Sequence, residues 1–285
     1  MIVNSVYLRK YLVRVIIFVD LKLLDVFMNW ALFYYHICNN FDDLDVICMD
    51  ETSAELLKLA GLSCSERSFH LKYSEDEKDK LGRIWLHRVE IITDYILSGI
   101  DVILSDSDAL FLNPKVFTDI SSYGQNAEFV ASRAWWPWPQ FKVWGACICM
   151  GFVYAKSGPF AADLFLSMRE GLQQQALLNS GWPDDQIAIN NLLESWNITW
   201  MDGYLSVGSN KVANTGRVIR NGTTYNVTLL PHSEYIRKCH SFKAADDLKK
   251  QAQQEVLDNV KGATVAHCRL PKGEGKLQQA YVKIS

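Results

Sequence analysis

Three short apolar runs, each closed by an aspartate, constrain this chain more than anything else in it. Val15–Val19 is followed by Asp20, Asp45–Met49 by Asp50, and Asp101–Ser105 by Asp106. Continuous apolar runs of this length predict strands buried on both faces. Between them lie segments of helical character. The first covers Leu24–Cys38. The second is a short helix capped by Thr52 or Ser53, with Glu55 set for a capping box and Gly61 as its stop. The third runs from the charged residues 75–80 to about Ser98, with Gly99 behind it. Strands alternating with helices predict an α/β fold: a Rossmann-like, mainly parallel sheet flanked by helices. Ligands of such sheets bind beyond the carboxyl ends of the strands. Asp20, Asp50 and the stretch from Asp106 to Asp108 are therefore the first candidates for a site.

Further along, Glu128–Ser132 reads as a strand. Residues 133–141, with three Trp and two Pro, read as a loop, and Cys147–Tyr154 as another strand. Pro159–Leu178 and Asp185–Trp196 read as helices. After Trp200 the chain turns irregular and rich in Gly and Asn, which predicts an excursion away from the sheet. Ala244–Val260 reads as a charged surface helix, and Val265–Cys268 as a last strand before a Lys/Gly-rich tail. No repeat or linker divides the chain, so residues 1–285 are expected to form one domain.

Composition closes off several classes. A net charge of −3 leaves no electrostatic footprint for non-specific nucleic-acid binding, so no nucleic-acid partner is expected. Seven cysteines at irregular spacing do not make a disulfide framework, and Cys147-x-Cys149 lacks the second pair a zinc site needs. Several cysteines sit in apolar runs and read as small buried hydrophobes, which leaves the redox compartment open. Val15–Val19 is far below the roughly 20 residues that span a bilayer, and no transmembrane segment is expected. Arg9, Lys10 and Arg14 precede it, but Asp20 follows at once and no small-residue cleavage site appears, so it is not read as a signal peptide. Three sequons, at Asn197, Asn221 and Asn226, carry meaning only in a secretory lumen. The chain has neither the Gly-x-Gly-x-x-Gly turn of a dinucleotide site nor the Gly-x-x-x-x-Gly-Lys-Ser/Thr loop of an NTPase.

The chemistry concentrates in Leu104-Ser-Asp-Ser-Asp-Ala-Leu-Phe-Leu-Asn-Pro114. In extended chain, positions i and i+2 point the same way, so a buried strand would deliver Asp106 and Asp108 to one side. Paired carboxylates form a hard oxygen site suited to Mn²⁺ or Mg²⁺, ions that keep positions open for phosphate oxygens.

With these residues the sequence resembles glycosyltransferase family 77, nucleotide-diphospho-sugar transferases of the GT-A fold, from about Val13 to Lys276. The resemblance rests on an ordered series of motifs: Asn29-Trp30, Met49-Asp-Glu-Thr52, Arg88 where Lys is usual, Asp106-x-Asp108 with Asn113-Pro114, Gly151-Phe152, Asp185-Gln-Ile-Ala-Ile-Asn190, and His267 with the tail Gly273–Lys276. It departs from the family at Cys149, where Asn is usual, and in lacking the usual N-terminal membrane anchor.

The resemblance implies a metal held by Asp106, Asp108 and His267. It implies a nucleotide bound by Asp20, Arg88, Asp106, Lys272 and Lys276, and catalytic contacts from Asp185 and Gln186. It also implies a nucleotide-binding half at about residues 13–114 and an acceptor-side half at about 115–285. The implied activity is transfer of a sugar, with retention of configuration, from a UDP-linked donor to a hydroxyl of a glycan or glycoprotein. An inactive glycan-binding or scaffold module of the same fold is the alternative. Trp135, Trp136 and Trp138 are expected to stack on the acceptor or to form a lid. The expected location is the Golgi lumen if a targeting segment lies outside this sequence, and otherwise the cytoplasm.

Overall fold

The structure is a computed structural model and describes residues 13–69, 77–178, 184–203, 205, 212–237 and 261–267. Strands β1 (Val13–Val19), β2 (Leu44–Cys48) and β3 (Asp101–Ser105) lie parallel, with β1 in the middle. Helices α1 (Leu24–Cys38), α2 (Glu51–Leu59) and α3 (Glu77–Leu97) connect them. The apolar runs fold this way because both faces of β1 are buried. Ile16 and Phe18 face a core shared with α3, and Val15, Ile17 and Val19 face a second core shared with α1. Asp50, not Thr52 or Ser53, caps α2: its Oδ1 accepts the Ser53 N–H at 2.8 Å. An aspartate in extended conformation just before the helix reaches that free N–H directly, and Glu55 is not needed.

The second half completes an eight-stranded sheet in the order β2-β1-β3-β6-β5-β9-β8-β7. Here β5 is Phe129–Ala134, β6 Cys147–Ala155, β7 Thr199–Trp200, β8 Asn214–Arg220 and β9 Thr223–Leu229. The α/β layout holds, with helices α4 (Lys115–Gly124), α6 (Pro159–Leu177) and α7 (Asp185–Ser195) among those that cover the sheet. The sheet itself is mixed. Strand β6 runs antiparallel to both neighbours, β3 and β5, while β9 is parallel to β5. Apolar runs report burial and carry no direction, so the sequence alone leaves this orientation unread.

Two expectations change. Residues 214–229 do not leave the sheet: β8 and β9 form a hairpin that joins it through β5. Its turn is Asn221-Gly222, both residues at positive φ (51° and 77°), the backbone that an Asn-Gly pair adopts in a two-residue hairpin. Residues 133–141 are also not all loop, since β5 continues to Ala134 and a helix, α5 (Trp138–Trp144), follows. Pro139 lies in its first turn, where a missing N–H removes no helical hydrogen bond.

The reading of Cys48 as simply a small buried hydrophobe is corrected too. Cys48, at the end of β2, is bonded to Cys64, with the two Cα atoms 5.7 Å apart. The partner comes from the segment after α2, which bridges back to β2 at Val46, a proximity that spacing along the chain does not reveal. Cys38, Cys147 and Cys149 are free. No helix among the described residues is long and apolar enough to cross a membrane. The helix expected at 244–260 lies outside the described residues.

A second, three-stranded sheet completes the site. Strand β4 (Ala109–Phe111) pairs antiparallel with β11 (Val265–His267), which pairs in parallel with β10 (Tyr235–Ile236). The register sets His267 opposite Ala109, one residue beyond Asp108.

Candidate active site

Asp106 and Asp108 converge through a tight turn at the end of β3. This corrects the extended geometry expected from their i, i+2 spacing. The Asp106 N–H donates to the Gly151 carbonyl at 2.8 Å, and the Ala109 N–H returns to the Asp106 carbonyl at 2.9 Å. Trp30, on α1, holds the turn from behind: its indole N–H donates to the Ala109 carbonyl at 2.9 Å. The Asn-Trp pair of the sequence thus has a physical role, since a buried carbonyl at a turn needs a donor.

His267 reaches this turn from the second sheet. Its Nε2 lies 3.0 Å from Asp108 Oδ1 and 3.5 Å from Asp106 Oδ2. One ligand atom from each of the three residues falls within 4.8 Å of the others. Burial and nearby Arg237 work against a charged His267, but the Asp108 charge and its hydrogen bond outweigh them and raise the ring to about 9. Burial likewise works against the Asp108 carboxylate, and the His267 ring outweighs it and holds the carboxyl below its ordinary range.

Gly151 makes room for this arrangement. It belongs to a three-residue bulge of β6: Ala131 pairs with Val153 and the next residue, Ser132, with Cys149, so Met150, Gly151 and Phe152 stand out of the β5 ladder. The Asp-Gln-x-x-x-Asn helix, α7, supports the bulge. Asn190 Oδ1 accepts the Ile148 N–H at 2.9 Å and its Nδ2 donates to the Ile148 carbonyl at 3.0 Å. Gln186 Oε1 accepts the Met150 N–H at 3.3 Å, and its Nε2 donates to the Trp136 carbonyl at 2.7 Å.

Arg88 ties α3 to this centre. Its Nη1 donates to Asp106 Oδ1 at 2.8 Å and its Nη2 to the Met150 carbonyl at 2.9 Å. Nη2 also lies 3.0 Å from Asp185 Oδ2. That oxygen has no hydrogen bond among the described residues. Burial pushes the Asp185 carboxyl up to about 7. Arg88 pulls the other way, and the charges of Asp184 and Asp106 add to the rise. Asp184 does the capping: its Oδ1 accepts the Ile187 N–H at 2.9 Å.

Arg88, Asp106, Gly151, Asp185 and Gln186 line one cleft of about 460 Å³, together with Trp85, Trp135, Trp136 and Arg237, while Asp108 and His267 stand beside it. Trp138 stands outside it, exposed at the start of α5 with its ring edge-on to Phe141. Asp20 is not among the lining residues: it accepts the Leu23 N–H at 3.0 Å and pairs with Lys80 at 3.2 Å. Cys149 is buried behind His267, with its Sγ 3.8 Å from Nδ1. Burial would raise its thiol, but Arg237 and His267 outweigh that and bring it to about 7. Lys272 and Lys276 lie outside the described residues. Arg237 was missed from sequence, where a lone Arg in an irregular stretch carries no spacing signal.

Two oxygen donors and one imidazole fit Mn²⁺ or Mg²⁺ better than a thiolate-seeking ion, and the bare Gly151 backbone leaves the side chains free to converge. Over residues 39–279 the chain matches the profile of the nucleotide-diphospho-sugar transferases, and it belongs to that family. Among solved structures it is similar to the apo form of the bifunctional glycosyltransferase WbbM, at 12% identity and a TM-score of 0.49. That match covers 92% of this chain but 46% of the other. It is also similar to the galactosyltransferase LgtC in complex with donor and acceptor sugar analogues, at 15% identity and a TM-score of 0.42, covering 69% of this chain and 73% of that one. The glycosyltransferase GlyE of Streptococcus pneumoniae TIGR4 is similar at 12% identity and a TM-score of 0.38, covering 70% of this chain and 45% of that one. No curated protein matches the chain.

Proposed function

We propose that this chain is a metal-dependent glycosyltransferase of the GT-A type. It would move a hexose or pentose from a UDP-linked donor to a hydroxyl of a glycan or glycoprotein, with retention of configuration. The observation that carries the reading is the meeting of Asp106, Asp108 and His267 beside a cleft that also holds Arg88, Arg237 and Asp185. A Mn²⁺ or Mg²⁺ held by the triad would supply positive charge to a diphosphate, both as it binds and as it departs.

The chain's own residues do the rest. Arg88 fixes Asp106 on one side and Asp185 on the other, so the metal end and the sugar end of the cleft keep a set distance. Asp185 Oδ2 is buried beside the Arg88 charge but takes no hydrogen bond among the described residues, and a sugar hydroxyl reaching it would supply one. Gln186 spends both amide atoms on backbone groups, which makes it a positioning residue for the bulge and for Trp136. Trp85, Trp135 and Trp136 give the cleft apolar faces suited to stacking on sugar or base. In the retaining route the proton of the attacking hydroxyl leaves with the diphosphate oxygen on the same face, so no strong general base is required.

A panel of nucleotide sugars, assayed with and without Mn²⁺ and with candidate acceptors, tests this. Metal-dependent release of nucleoside diphosphate from one donor, lost in Asp108→Ala, is the expected result. A folded chain that releases none from any donor, with every acceptor class supplied, would overturn the reading in favour of a glycan-binding module.

A further inference from the structure

We infer that Arg237 is a donor-binding residue of this site, serving as counter-ion to the two aspartates when the cleft is empty and as a partner of the nucleoside diphosphate when donor binds. The inference rests on the proposed function and deepens it.

Arg237 follows β10, so the sheet that delivers His267 delivers this cation as well. Its backbone N–H donates to His232 Nε2 at 3.2 Å, which fixes where the side chain starts. Its Nη1 lies 2.6 Å from Nδ1 of His267, so the guanidinium stands against that ring. Nε2 is the atom that His267 turns toward Asp108 and Asp106. Arg237 also lines the cleft. The guanidinium therefore lies between the His267 ring and the cleft.

A cation held there opposes a second cation. Arg237 and a divalent ion would share the field of the same two carboxylates. The conflict ends if the guanidinium moves into the cleft it already borders. It then meets the phosphate oxygens that a bound ion would attract, and a planar fork of N–H donors suits them. One residue thus weakens the grip on metal alone and strengthens the grip on metal with diphosphate. A residue that merely held His267 in place would strengthen both.

The experiment measures two affinities on the full chain by calorimetry: Mn²⁺ alone, and UDP at saturating Mn²⁺. Arg237→Ala should bind Mn²⁺ alone about threefold or more tighter and UDP about tenfold or more weaker, a tenfold change being about 1.4 kcal/mol. Arg237→Lys keeps the charge and should stay within about threefold of wild type in the Mn²⁺ arm while losing part of the UDP affinity. Circular dichroism and thermal melting check that both variants fold. Two changes of the same sign in Arg237→Ala, or no change in either, would overturn the inference. A wild type that binds Mn²⁺ but no UDP would overturn the donor role together with the proposed function. The Mn²⁺ arm alone would then still decide the counter-ion role.

Discussion

A Cβ placed on Gly151 would lie 1.9 Å from Cε1 of His267 and 2.6 Å from Asp106 Oδ2. No side chain can occupy that position while the imidazole and the carboxylate keep theirs. The glycine of the Gly-Phe strand is therefore fixed by the site and not by its own backbone, which carries no positive φ.

Gly151→Ala should displace His267 and Asp106 together. We expect metal affinity to fall at least about tenfold and stability to fall by about 1–3 kcal/mol, the usual cost of overpacking a full interior. Calorimetric titration with Mn²⁺ and urea denaturation check the two effects. Retention of wild-type metal affinity would show that the ring has room to move aside.

Trp30→Phe keeps the aromatic packing against Tyr34 and Phe111 and removes the only atom that donates to the Ala109 carbonyl from that ring. Ser105 Oγ also donates to that carbonyl, at 3.3 Å, so it is not orphaned and the loss should cost about 0.5–1.5 kcal/mol. Because the same turn carries Asp106 and Asp108, Mn²⁺ binding should weaken alongside. A loss of stability with metal affinity intact would separate the indole's role in folding from the site.

Asp185 gives a pH signature with a defined sign. Its carboxyl is raised from 3.8 to about 7, so the folded chain holds a proton that the unfolded chain has released. The stabilisation is fully present below about pH 4 and is lost as the pH rises through about 7, up to the order of 4 kcal/mol. Asp185→Asn has no such proton. In metal-free protein, the stability of wild type relative to Asp185→Asn should therefore fall between pH 4 and 8, as read by chemical denaturation. A flat difference across that range would mean that Asp185 titrates as an ordinary carboxylate.

The Cys48–Cys64 bond closes a loop of sequence separation 16. A loop of about 15 residues corresponds to about 3 kcal/mol of constraint on the unfolded chain. The double variant Cys48→Ser with Cys64→Ser should melt several degrees lower than the oxidised protein and become insensitive to reductant. An unchanged melting temperature would place little of the stability in that link.

The legible part of this protein is its first half. Buried runs ending in aspartate set β1, β2 and β3, and the Asp106/Asp108 pair stood out because a strand delivered it. The second half was harder for definite reasons. Nine consecutive buried residues in β6 say nothing of direction, so its antiparallel course was unreadable. The Asn221-Gly222 hairpin was signalled in the sequence, but it lay in a stretch whose other residues look irregular. Asp185 and Asn190 were visible as a motif, yet their work on Arg88 and on the β6 bulge depends on contacts across elements. Arg237 and Gly151 act through close approach in space, which no local pattern encodes.

The pairing of β4 with β11 joins two stretches separated by more than half the chain. On a ribosome the aspartate strand emerges early and the histidine strand late. Nascent chains long enough to form β1 to β9 hold both carboxylates but no imidazole to complete the triad. The three groups come together only when synthesis reaches His267, so a partly made or truncated chain carries the two carboxylates without their imidazole partner.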